Sequence, residues 1–168
     1  MILHKGKYLH LICEDNWEYV KRVNCSGIVV IVPMNKEHKV IFVEQFRRPV
    51  EAQVIEWPAG LVNDKTLPDP ETMEEAARRE LLEETGYEAG HLSLLVEGPI
   101  SSGLSSESIT FYQALDVVKI GPGGGDATES IKVHEIPLKE ADLWLYEMEK
   151  KGFLVDPKVY VGLYFLKM

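Results

Sequence analysis

The stretch RELLEETG, residues 79–86, carries the densest charge pattern of the chain and forms the end of a predicted helix. Asp69 is expected to cap this helix and Pro70 to lie in its first turn, because both residue types favour helix starts. Gly86 is expected to end it. An apolar residue recurs at every fourth position, which predicts a stripe that faces the core. The stripe consists of Met73, Ala77 and Leu81.

The opposite face of this helix is acidic, since Glu80, Glu83 and Glu84 stand at positions i, i+3 and i+4. Like charges at this spacing cost about 0.2–0.5 kcal/mol per pair. Two favourable ion pairs are expected to offset part of that cost: Glu74–Arg78 and Glu75–Arg79. The face is either a solvated, charged surface or a carboxylate cluster for a hard divalent cation. Mg²⁺ takes oxygen ligands and is commonly held by carboxylates together with substrate phosphates.

The spacing around the acidic face resembles the Nudix box, G-x5-E-x7-R-E-U-x-E-E-x-G-U, in which U is a bulky apolar residue. Every fixed position matches from Glu71 to Tyr87. Gly60 departs from the pattern, because ten residues, Leu61–Pro70, separate it from Glu71 where the box has five. Loops tolerate such insertions. The resemblance to Nudix hydrolases implies an α/β fold: an α/β/α sandwich with a mixed β-sheet and an N-terminal β-hairpin.

The composition is that of an ordinary globular domain, with 45% apolar and 27% charged residues in a chain of 168. This length favours a single domain over residues 1–168. No apolar run is long enough to cross a membrane, and Met1–His10 lacks the apolar segment of a secretion signal, so a cytoplasmic location is expected. Cys13 and Cys25 have neither disulfide-framework nor metal-site spacing, which favours free thiols in a reducing compartment.

The net charge of −9 argues against nucleic-acid binding, which requires a basic surface. An acidic protein that acts on an anionic diphosphate needs local positive charge from metal ions and a few arginines. The Nudix resemblance implies that the metal is Mg²⁺, with Mn²⁺ able to substitute for it. The expected partner is therefore a small nucleotide substrate, and neither a nucleic acid nor a membrane.

Two strands are predicted near the N-terminus, Tyr8–Ile12 and Trp17–Val23, and a turn joins them into a hairpin. Trp17 and Tyr19 alternate onto one side of the second strand, where they either pack against protein or stack on a base. In the branch of the family that the chain resembles, an N-terminal sheet often crosses to a partner subunit and helps to bind the nucleotide. The resemblance thus implies a homodimer, possible exchange of residues 1–25 between its subunits, and a substrate contact by Trp17.

Two motifs precede the Nudix box. The first is EQFRRP, residues 44–49, whose adjacent arginines can fork onto phosphate oxygens. It resembles the E-Q-[YF]-R motif of ADP-ribose and nucleoside-diphosphate-sugar hydrolases, which implies that Arg47 contacts the substrate, with Arg48 as a second candidate. The other motif is EWPAG, residues 56–60, which resembles the E-[FW]-P-A-G segment of the same branch. There the glutamate contacts substrate and the alanine carbonyl binds metal, which implies these roles for Glu56 and Ala59.

The rest of the chain alternates between predicted strands and helices. The buried strands are expected at Gly27–Val32, Lys39–Glu44, Leu92–Val96, Ile109–Ala114 and Ile131–Ile136. The helices are expected at Leu138–Lys151 and Val155–Met168. This order of elements agrees with the sandwich that the resemblance implies.

Two loops between these elements extend the resemblance. SSGLSSE, residues 101–107, is similar to the S-P-G-x-S-x-E loop of the branch, so Glu107 either contacts the sugar end of the substrate or is a plain loop residue. GPGGG, residues 121–125, lacks the lysine of a P-loop and is interpreted as a flexible connection. In the family, a mobile loop here brings a carboxylate over the metals. The candidates are Glu129 and, in reserve, Asp126, while Ala127 occupies a place where relatives can carry a catalytic glutamate.

The start of the last helix carries a further motif, Asp156-Pro157-Lys158. By itself it is a helix start, with an aspartate cap and a proline in the first turn. It also resembles the Asp-x-Lys mark of nucleoside-diphosphate-sugar hydrolases, as distinct from enzymes dedicated to ADP-ribose, which implies substrate contacts by Asp156 and Lys158.

The resemblance as a whole implies Mg²⁺-dependent hydrolysis of nucleoside diphosphate sugars to a nucleoside monophosphate and a sugar phosphate. Glu80 and Glu84 would be the main metal ligands, and Glu83 would bridge or support them. Arg79 would orient the glutamates, and Glu129 would position or deprotonate water. The alternatives are a dedicated ADP-ribose pyrophosphatase and a non-catalytic nucleotide sensor.

Overall fold

The computed structural model describes residues 1–64, 70–125 and 130–168 of the protein. The strands in these ranges are β1 (Ile2–Lys5), β2 (Leu9–Glu14), β3 (Trp17–Arg22), β4 (Gly27–Asn35), β5 (Lys39–Arg47), β6 (Ala52–Glu56), β7 (Ala59–Val62), β8 (Tyr87–Glu88), β9 (His91–Pro99), β10 (Ser108–Lys119), β11 (Lys132–Pro137) and β12 (Leu154–Val155). The helices are α1 (Met73–Thr85), α2 (Ala141–Lys150) and α3 (Pro157–Leu166), with short 3-10 helices at Arg48–Val50 and Leu138–Glu140.

The described strands form a small sheet and a large one. In the small sheet, β1, β2 and β3 are antiparallel neighbours. The large sheet has the order β12-β6-β5-β4-β10-β8, with β11 beside β5, β7 beside β4 and β9 beside β10. Strand β10 runs parallel to β4, whereas β7 runs antiparallel to it with Ala59 opposite Val30. This pairing places the EWPAG motif against the centre of the sheet.

Strand β4 is buried on both faces, which explains its continuous apolar sequence. Val30 and Val32 point to one face, where they pack in a cluster with residues of α2 and α3. Val29 and Ile31 point to the other face and pack in a cluster that contains Ala76, Ala77 and Leu81 of α1. The large sheet therefore lies between helices, and the predicted α/β/α sandwich with a mixed sheet is confirmed.

Helix α1 begins later than expected. Its N-cap is Thr72, so the predicted start at Pro70 is wrong, and Asp69 lies outside the described residues. Thr72 Oγ1 accepts a hydrogen bond from the Glu75 backbone N–H at 3.2 Å, and Glu75 Oε2 accepts one from the Thr72 N–H at 2.8 Å. This reciprocal pair of hydrogen bonds is a capping box, which satisfies two backbone N–H groups at the start of the helix. The predicted end at Gly86 is confirmed, with φ of 74°.

The capping box also changes the ion pairs along α1. Glu75 is engaged with Thr72, and the predicted Glu75–Arg79 pair is not among the contacts of the described residues. The predicted Glu74–Arg78 pair does form, at 2.8 Å. Arg79 instead contacts Glu83, four positions later, at 3.2 Å, so a cation on the helix still lies beside the acidic face.

The predicted N-terminal hairpin is confirmed, with Ile12 opposite Tyr19. Asp15 and Asn16 form its turn at φ of 48° and 64°, as expected for a two-residue turn that matches the twist of the strands. The additional strand β1 was not predicted, and it pairs with β2 to complete the small sheet.

Other boundaries shift by a few residues. Strand β4 continues beyond its predicted end at Val32 to Asn35, and β10 extends beyond Ala114 to Lys119. The segment Leu138–Glu140 is a 3-10 helix that leads into α2. Helix α3 starts at Pro157, behind the Asp156 cap. None of the helices in the described ranges is long and apolar enough to cross a membrane.

Candidate active site

A cavity of about 710 Å³ opens between α1, the large sheet and the start of α3. Its size lies within the range of about 300–1,000 Å³ that is usual for small-molecule sites. The charged residues of its wall come from separate parts of the chain: Arg22, Arg47, Glu56, Asp64, Glu80, Glu83, Glu107, Asp156 and Lys158. Ala59, Gly60 and Leu61 of β7 also line it. The structure thus brings most of the predicted site residues to one cavity.

Arg79 is the centre of the hydrogen-bond network on the α1 side. Its Nε donates to Glu71 Oε1 at 2.7 Å, and Nη2 donates to Glu71 Oε2 at 3.0 Å, so the two side chains form a two-pronged pair. Nη1 reaches Glu80 at 2.7 Å and Glu83 at 3.2 Å. Nη2 also donates to the Leu61 carbonyl at 3.0 Å, which ties α1 to β7.

This network keeps Arg79 charged. The hydrogen bonds to Glu71 raise the pKa of the guanidinium above its usual range, and the Glu80 carboxylate acts in the same direction. A permanently charged guanidinium that contacts four carboxylates fixes their positions, and three of these, on Asp64, Glu80 and Glu83, line the cavity. The predicted orienting role of Arg79 therefore has a geometric basis.

Two glutamates of the acidic face, Glu84 and Glu80, are buried against the EWPAG segment. Glu84 is only 2% exposed, and its Oε2 accepts a hydrogen bond from the Ala59 backbone N–H at 3.1 Å. Glu80 is 9% exposed and lies directly against Gly60, so that a Cβ on Gly60 would overlap its carboxylate. Burial of carboxylates is costly unless positive charge or hydrogen bonds compensate it. The EWPAG segment thus packs against the glutamates that the sequence predicts to bind metal.

The chemistry of these donors fits a hard divalent cation. Glu80, Glu83 and Glu84 supply carboxylate oxygens, and β7 lies beside them with the Ala59 backbone. Oxygen donors without thiolate or imidazole suit Mg²⁺ or Mn²⁺ rather than a soft metal. Within the described residues, no three acidic, histidine or cysteine side chains already converge as a metal cage. Their carboxylates instead face Arg79 or the Ala59 N–H.

The opposite wall of the cavity carries cations that are each paired with a carboxylate. Arg47 Nε donates to Glu56 Oε2 at 2.7 Å, across the β5–β6 pair. Lys158 Nζ contacts Asp156, whose Oδ1 also accepts from the Lys158 backbone N–H at 2.8 Å and so caps α3. Asp156 therefore has a structural role as the N-cap of α3, independent of any contact with a ligand.

This wall carries a third ion pair, and the sequence predicted only its acidic partner, Glu107. Arg22 Nε donates to Glu107 Oε1 at 2.6 Å, which joins β3 of the small sheet to the loop before β10. Arg22 carries no motif, and no signal in the sequence pointed to it. Its place at the cavity results from the docking of the small sheet on the loop at residues 101–107.

Several predicted residues do not line the cavity; two of them, Arg79 and Glu84, contact the lining residues Glu80 and Ala59. Trp17 is 62% exposed, and its indole N–H donates to the Gly103 carbonyl at 3.1 Å, so it contacts the loop at residues 101–107. Arg48 is exposed in the 3-10 helix after β5. Glu129, Asp126 and Ala127 lie outside the described residues.

The glycine-rich segment at residues 121–125 packs on the end of α1. The N–H of Gly124 donates to the Glu84 carbonyl at 2.8 Å, and that of Gly125 donates to the Glu83 carbonyl at 3.1 Å. Gly123 needs to be glycine, because its φ is 68° and a Cβ would overlap the backbone at Thr85 and Gly86. The segment that was interpreted as a flexible connection therefore caps the helix that carries the acidic face.

The comparisons with known proteins agree with this geometry. A family model described as the NUDIX domain matches residues 26–156. A methanol dehydrogenase activator from Bacillus methanolicus is 33% identical, and the alignment covers 99% of this chain and 89% of that protein. An ADP-ribose pyrophosphatase from Bacillus subtilis is 33% identical with coverages of 83% and 76%, and a GDP-mannose pyrophosphatase from Escherichia coli is 33% identical with coverages of 85% and 74%.

A solved structure described as an ADP compounds hydrolase has the same fold, with a TM-score of 0.72 over 99% of this chain and 89% of that one. At 19% identity this likeness concerns the fold alone. The family model spans most of the chain, and the matched region contains the box helix and the EWPAG motif. The chain is therefore a member of the Nudix family of hydrolases.

Proposed function

We propose that the protein hydrolyses the diphosphate bond of nucleoside diphosphate sugars of the ADP-ribose and GDP-mannose type in the presence of Mg²⁺. The observation that carries this proposal is the cavity itself, whose lining combines glutamates of α1 with three cation–carboxylate pairs. One wall suits a divalent cation and the other suits an anion, and a metal-bound diphosphate needs both. The substrate class is supported by two relatives, one named an ADP-ribose pyrophosphatase and the other a GDP-mannose pyrophosphatase.

The metal would be held by Glu80, Glu83, Glu84 and the Ala59 carbonyl. When bound, Mg²⁺, or Mn²⁺ in its place, polarises phosphoryl oxygens and lowers the pKa of a coordinated water. Arg79 holds Glu80 and Glu83 at the wall, and Glu71 in turn holds Arg79. Gly60 leaves the space that the Glu80 carboxylate occupies.

The substrate would be bound by the paired cations. Arg47 donates to phosphate oxygens from its guanidinium while Nε stays on Glu56, which fixes the plane of the group. Lys158 and Asp156 contact one end of the substrate, and Glu107 accepts hydrogen bonds from hydroxyl groups of the sugar. Because each cation already has a carboxylate partner, the wall is oriented before the substrate arrives.

Hydrolysis adds water across the P–O–P bridge. One phosphorus gains the water oxygen, the bridging oxygen leaves on the other phosphate, and the water protons pass to a base and finally to solvent. Glu129 remains the proposed base, with Glu83 as a carboxylate already on the cavity wall. The products are a nucleoside monophosphate and a sugar phosphate.

A second candidate is a dedicated ADP-ribose pyrophosphatase. Asp156 supports this alternative, because its hydrogen bond to the Lys158 N–H explains the Asp-x-Lys motif as a helix cap without any sugar contact. The relatives named for ADP-ribose and for GDP-mannose are equally identical to this chain, so identity does not choose between the two.

Turnover on a panel of substrates tests the proposal. ADP-ribose, GDP-mannose, ADP-glucose and UDP-glucose are incubated with and without Mg²⁺, and a phosphatase releases phosphate from the products. Oxygen-18 water, followed by mass spectrometry, identifies which phosphorus is attacked. Metal-dependent cleavage of several substrates is expected. Cleavage of ADP-ribose alone would select the second candidate, and no cleavage would contradict both.

We also propose that the protein is a homodimer. The small sheet and the adjoining segment expose a group of apolar and aromatic side chains: Ile2, Leu3, Tyr8, Leu9 and Trp17. Burial of such side chains in an interface with a second copy would remove apolar surface from water. Sedimentation equilibrium is expected to give twice the mass of the chain, and a monomer at micromolar concentration would contradict the proposal.

A further inference from the structure

A second, smaller cavity of about 260 Å³ lies beside the active-site cavity. The two cavities share Arg22, Ile28 and Glu107 in their linings. The Arg22–Glu107 ion pair, at 2.6 Å, therefore stands in the partition between them. At this volume the side cavity falls just below the usual range for a whole ligand, which begins at about 300 Å³. It can take a part of a ligand that extends from the larger cavity.

The partition is assembled from two distant parts of the chain. Val20 of β3 donates its N–H to the Leu104 carbonyl at 2.8 Å, and its carbonyl accepts from the Ser106 N–H at 3.2 Å. These bonds fasten β3 to the loop at residues 101–107, so Arg22 and Glu107 meet in a fixed register. Their side chains are 31% and 19% exposed, which leaves room for the pair to separate without disturbing the core.

The partition stands at one end of the active-site cavity. Glu107 directly precedes β10, whereas Asp156 and Lys158 directly follow β12. Strands β10 and β12 lie toward opposite ends of the strand order, with β4, β5 and β6 between them. A diphosphate that lies across the cavity therefore has one of its terminal groups at the Arg22–Glu107 pair.

The lining of the side cavity is suited to a polar group with an apolar face. Its lining includes four hydroxyl-bearing residues, Ser26, Ser106, Ser108 and Thr110. Ile28 and Met73 provide apolar contacts, and Lys21 and Glu97 add charge of both signs. A nucleobase attached to a terminal ribose has this combination of polar edges and an apolar face.

We propose that the Arg22–Glu107 pair is a specificity barrier, which keeps the side cavity closed to the second base of dinucleoside diphosphates and so favours substrates that end in a sugar. This proposal rests on the proposed function. Removal of the barrier joins the two cavities and admits the larger group. For comparison, a single methylene in a hydrophobic pocket changes discrimination by about 10–200-fold, so exclusion of a whole base is expected to have an effect of at least about tenfold.

Two compounds that differ by one base test the barrier: ADP-ribose and diadenosine diphosphate. The measured quantity is the ratio of their kcat/KM values, diadenosine diphosphate over ADP-ribose, for wild type, Arg22→Ala and Glu107→Gln. The ratio is expected to rise at least about tenfold in Arg22→Ala, through KM rather than kcat. Glu107→Gln, which keeps the volume but not the charge, is expected to raise it less. Lys167→Ala breaks an exposed ion pair with Asp142 far from the cavities and is the control.

Dissociation constants of both compounds, measured calorimetrically without metal, separate failure of the barrier from failure of the proposed function. If wild type cleaves ADP-ribose but the ratio stays constant, or both compounds weaken equally in Arg22→Ala, the barrier is refuted and the function stands. If neither compound is cleaved but the ratio of dissociation constants shifts in Arg22→Ala, the barrier holds and the function fails. A constant binding ratio together with no cleavage would refute both.

Discussion

The two walls of the active-site cavity balance their charges differently. On the α1 wall, Arg79 forms ion pairs with four carboxylates of the described residues, those of Asp64, Glu71, Glu80 and Glu83. On the opposite wall, Arg22, Arg47 and Lys158 each contact a carboxylate of their own. Among the described residues, the α1 wall has more acidic than basic groups, whereas each of these three cations on the opposite wall lies beside a carboxylate.

This difference explains how an acidic protein can act on an anionic substrate. The α1 wall attracts cations, and Arg79 orders its glutamates without neutralising them all. The opposite wall presents guanidinium and ammonium groups whose positions are fixed by their carboxylate partners. A metal ion would bind at the α1 wall and a diphosphate at the opposite wall. The positive charge of the metal would then balance the negative charge of the diphosphate.

The largest effect is expected from breaking the α1 wall with Glu80→Gln. The change removes one charge with little change in volume, at a side chain that is buried against Gly60. A fall in kcat of at least about 10²–10³-fold is expected, the range for losing one group that stabilises transition-state charge. Steady-state kinetics at saturating Mg²⁺ measures it. Glu74→Gln, on the exposed side of α1, is the control and should retain activity.

Gly60→Ala tests the same wall without altering any charge. The added Cβ overlaps the Glu80 carboxylate, so that carboxylate must move. A displacement of this size is expected to reduce kcat/KM by about 10²-fold. Gly90→Ala is the matched control, since nothing lies within 4 Å of its Cβ position. Equal activity of the two alanine variants would contradict the role given to Gly60.

Arg47→Lys sharpens the description of the opposite wall. Lysine keeps the charge but cannot hold Glu56 and a phosphate with one planar group. KM is expected to rise about tenfold, which corresponds to about 1.4 kcal/mol or one charge-assisted hydrogen bond. Arg48→Lys, which changes the adjacent exposed arginine, is the control and should leave KM unchanged. If both variants behaved alike, Arg47 would have no special place in substrate binding.

Thr72→Ala is expected to affect stability rather than turnover. It removes the hydroxyl that accepts the Glu75 N–H and so weakens the start of α1. Loss of such a cap costs about 1 kcal/mol, and for a chain of this size Tm should fall by about 2–4 °C. Thr72→Ser retains the acceptor and should melt close to wild type. A larger loss of activity than of stability in Thr72→Ala would show that the cap also positions the glutamates.

The smallest effect is a pH dependence at the same cap. The pKa of Glu75 is lowered, chiefly by the hydrogen bond from the Thr72 backbone N–H and then by the Thr72 hydroxyl. A lowered pKa in the folded state means that the carboxylate stabilises the fold above its ordinary pKa and stops doing so as the pH falls through the lowered value. The stability gap between wild type and Glu75→Gln should therefore narrow in acid. A gap that widened would contradict this sign.

The α1 wall could be read from the sequence because its contacts are local. Glu80, Glu83 and Arg79 follow one another on a single helix, and the box spacing identifies them. Even there, the start was predicted at Asp69-Pro70, and the capping box Thr72-x-x-Glu75 was missed. The Glu71–Arg79 pair was not predicted, because Glu71 precedes the helix and lies outside its i, i+4 geometry.

The opposite wall could be predicted only where a motif marks it. Arg47 and Glu56 belong to recognisable segments, although their contact with each other depends on the β5–β6 register. Arg22 has no motif, and it reaches Glu107 across 85 positions of sequence through the docking of the small sheet. Sequence patterns report local structure, whereas this pair depends on tertiary structure.

Separate binding of the cation and of the nucleotide tests the two-wall description most directly. The electron paramagnetic resonance signal of free Mn²⁺ reports metal binding, and calorimetry with ADP-ribose in the absence of metal reports nucleotide binding, for wild type, Glu80→Gln and Arg47→Lys. Glu80→Gln should lose Mn²⁺ binding and keep ADP-ribose, whereas Arg47→Lys should keep Mn²⁺ and bind ADP-ribose more weakly. Equal loss of both ligands in both variants would contradict the division of the cavity into a cation wall and an anion wall.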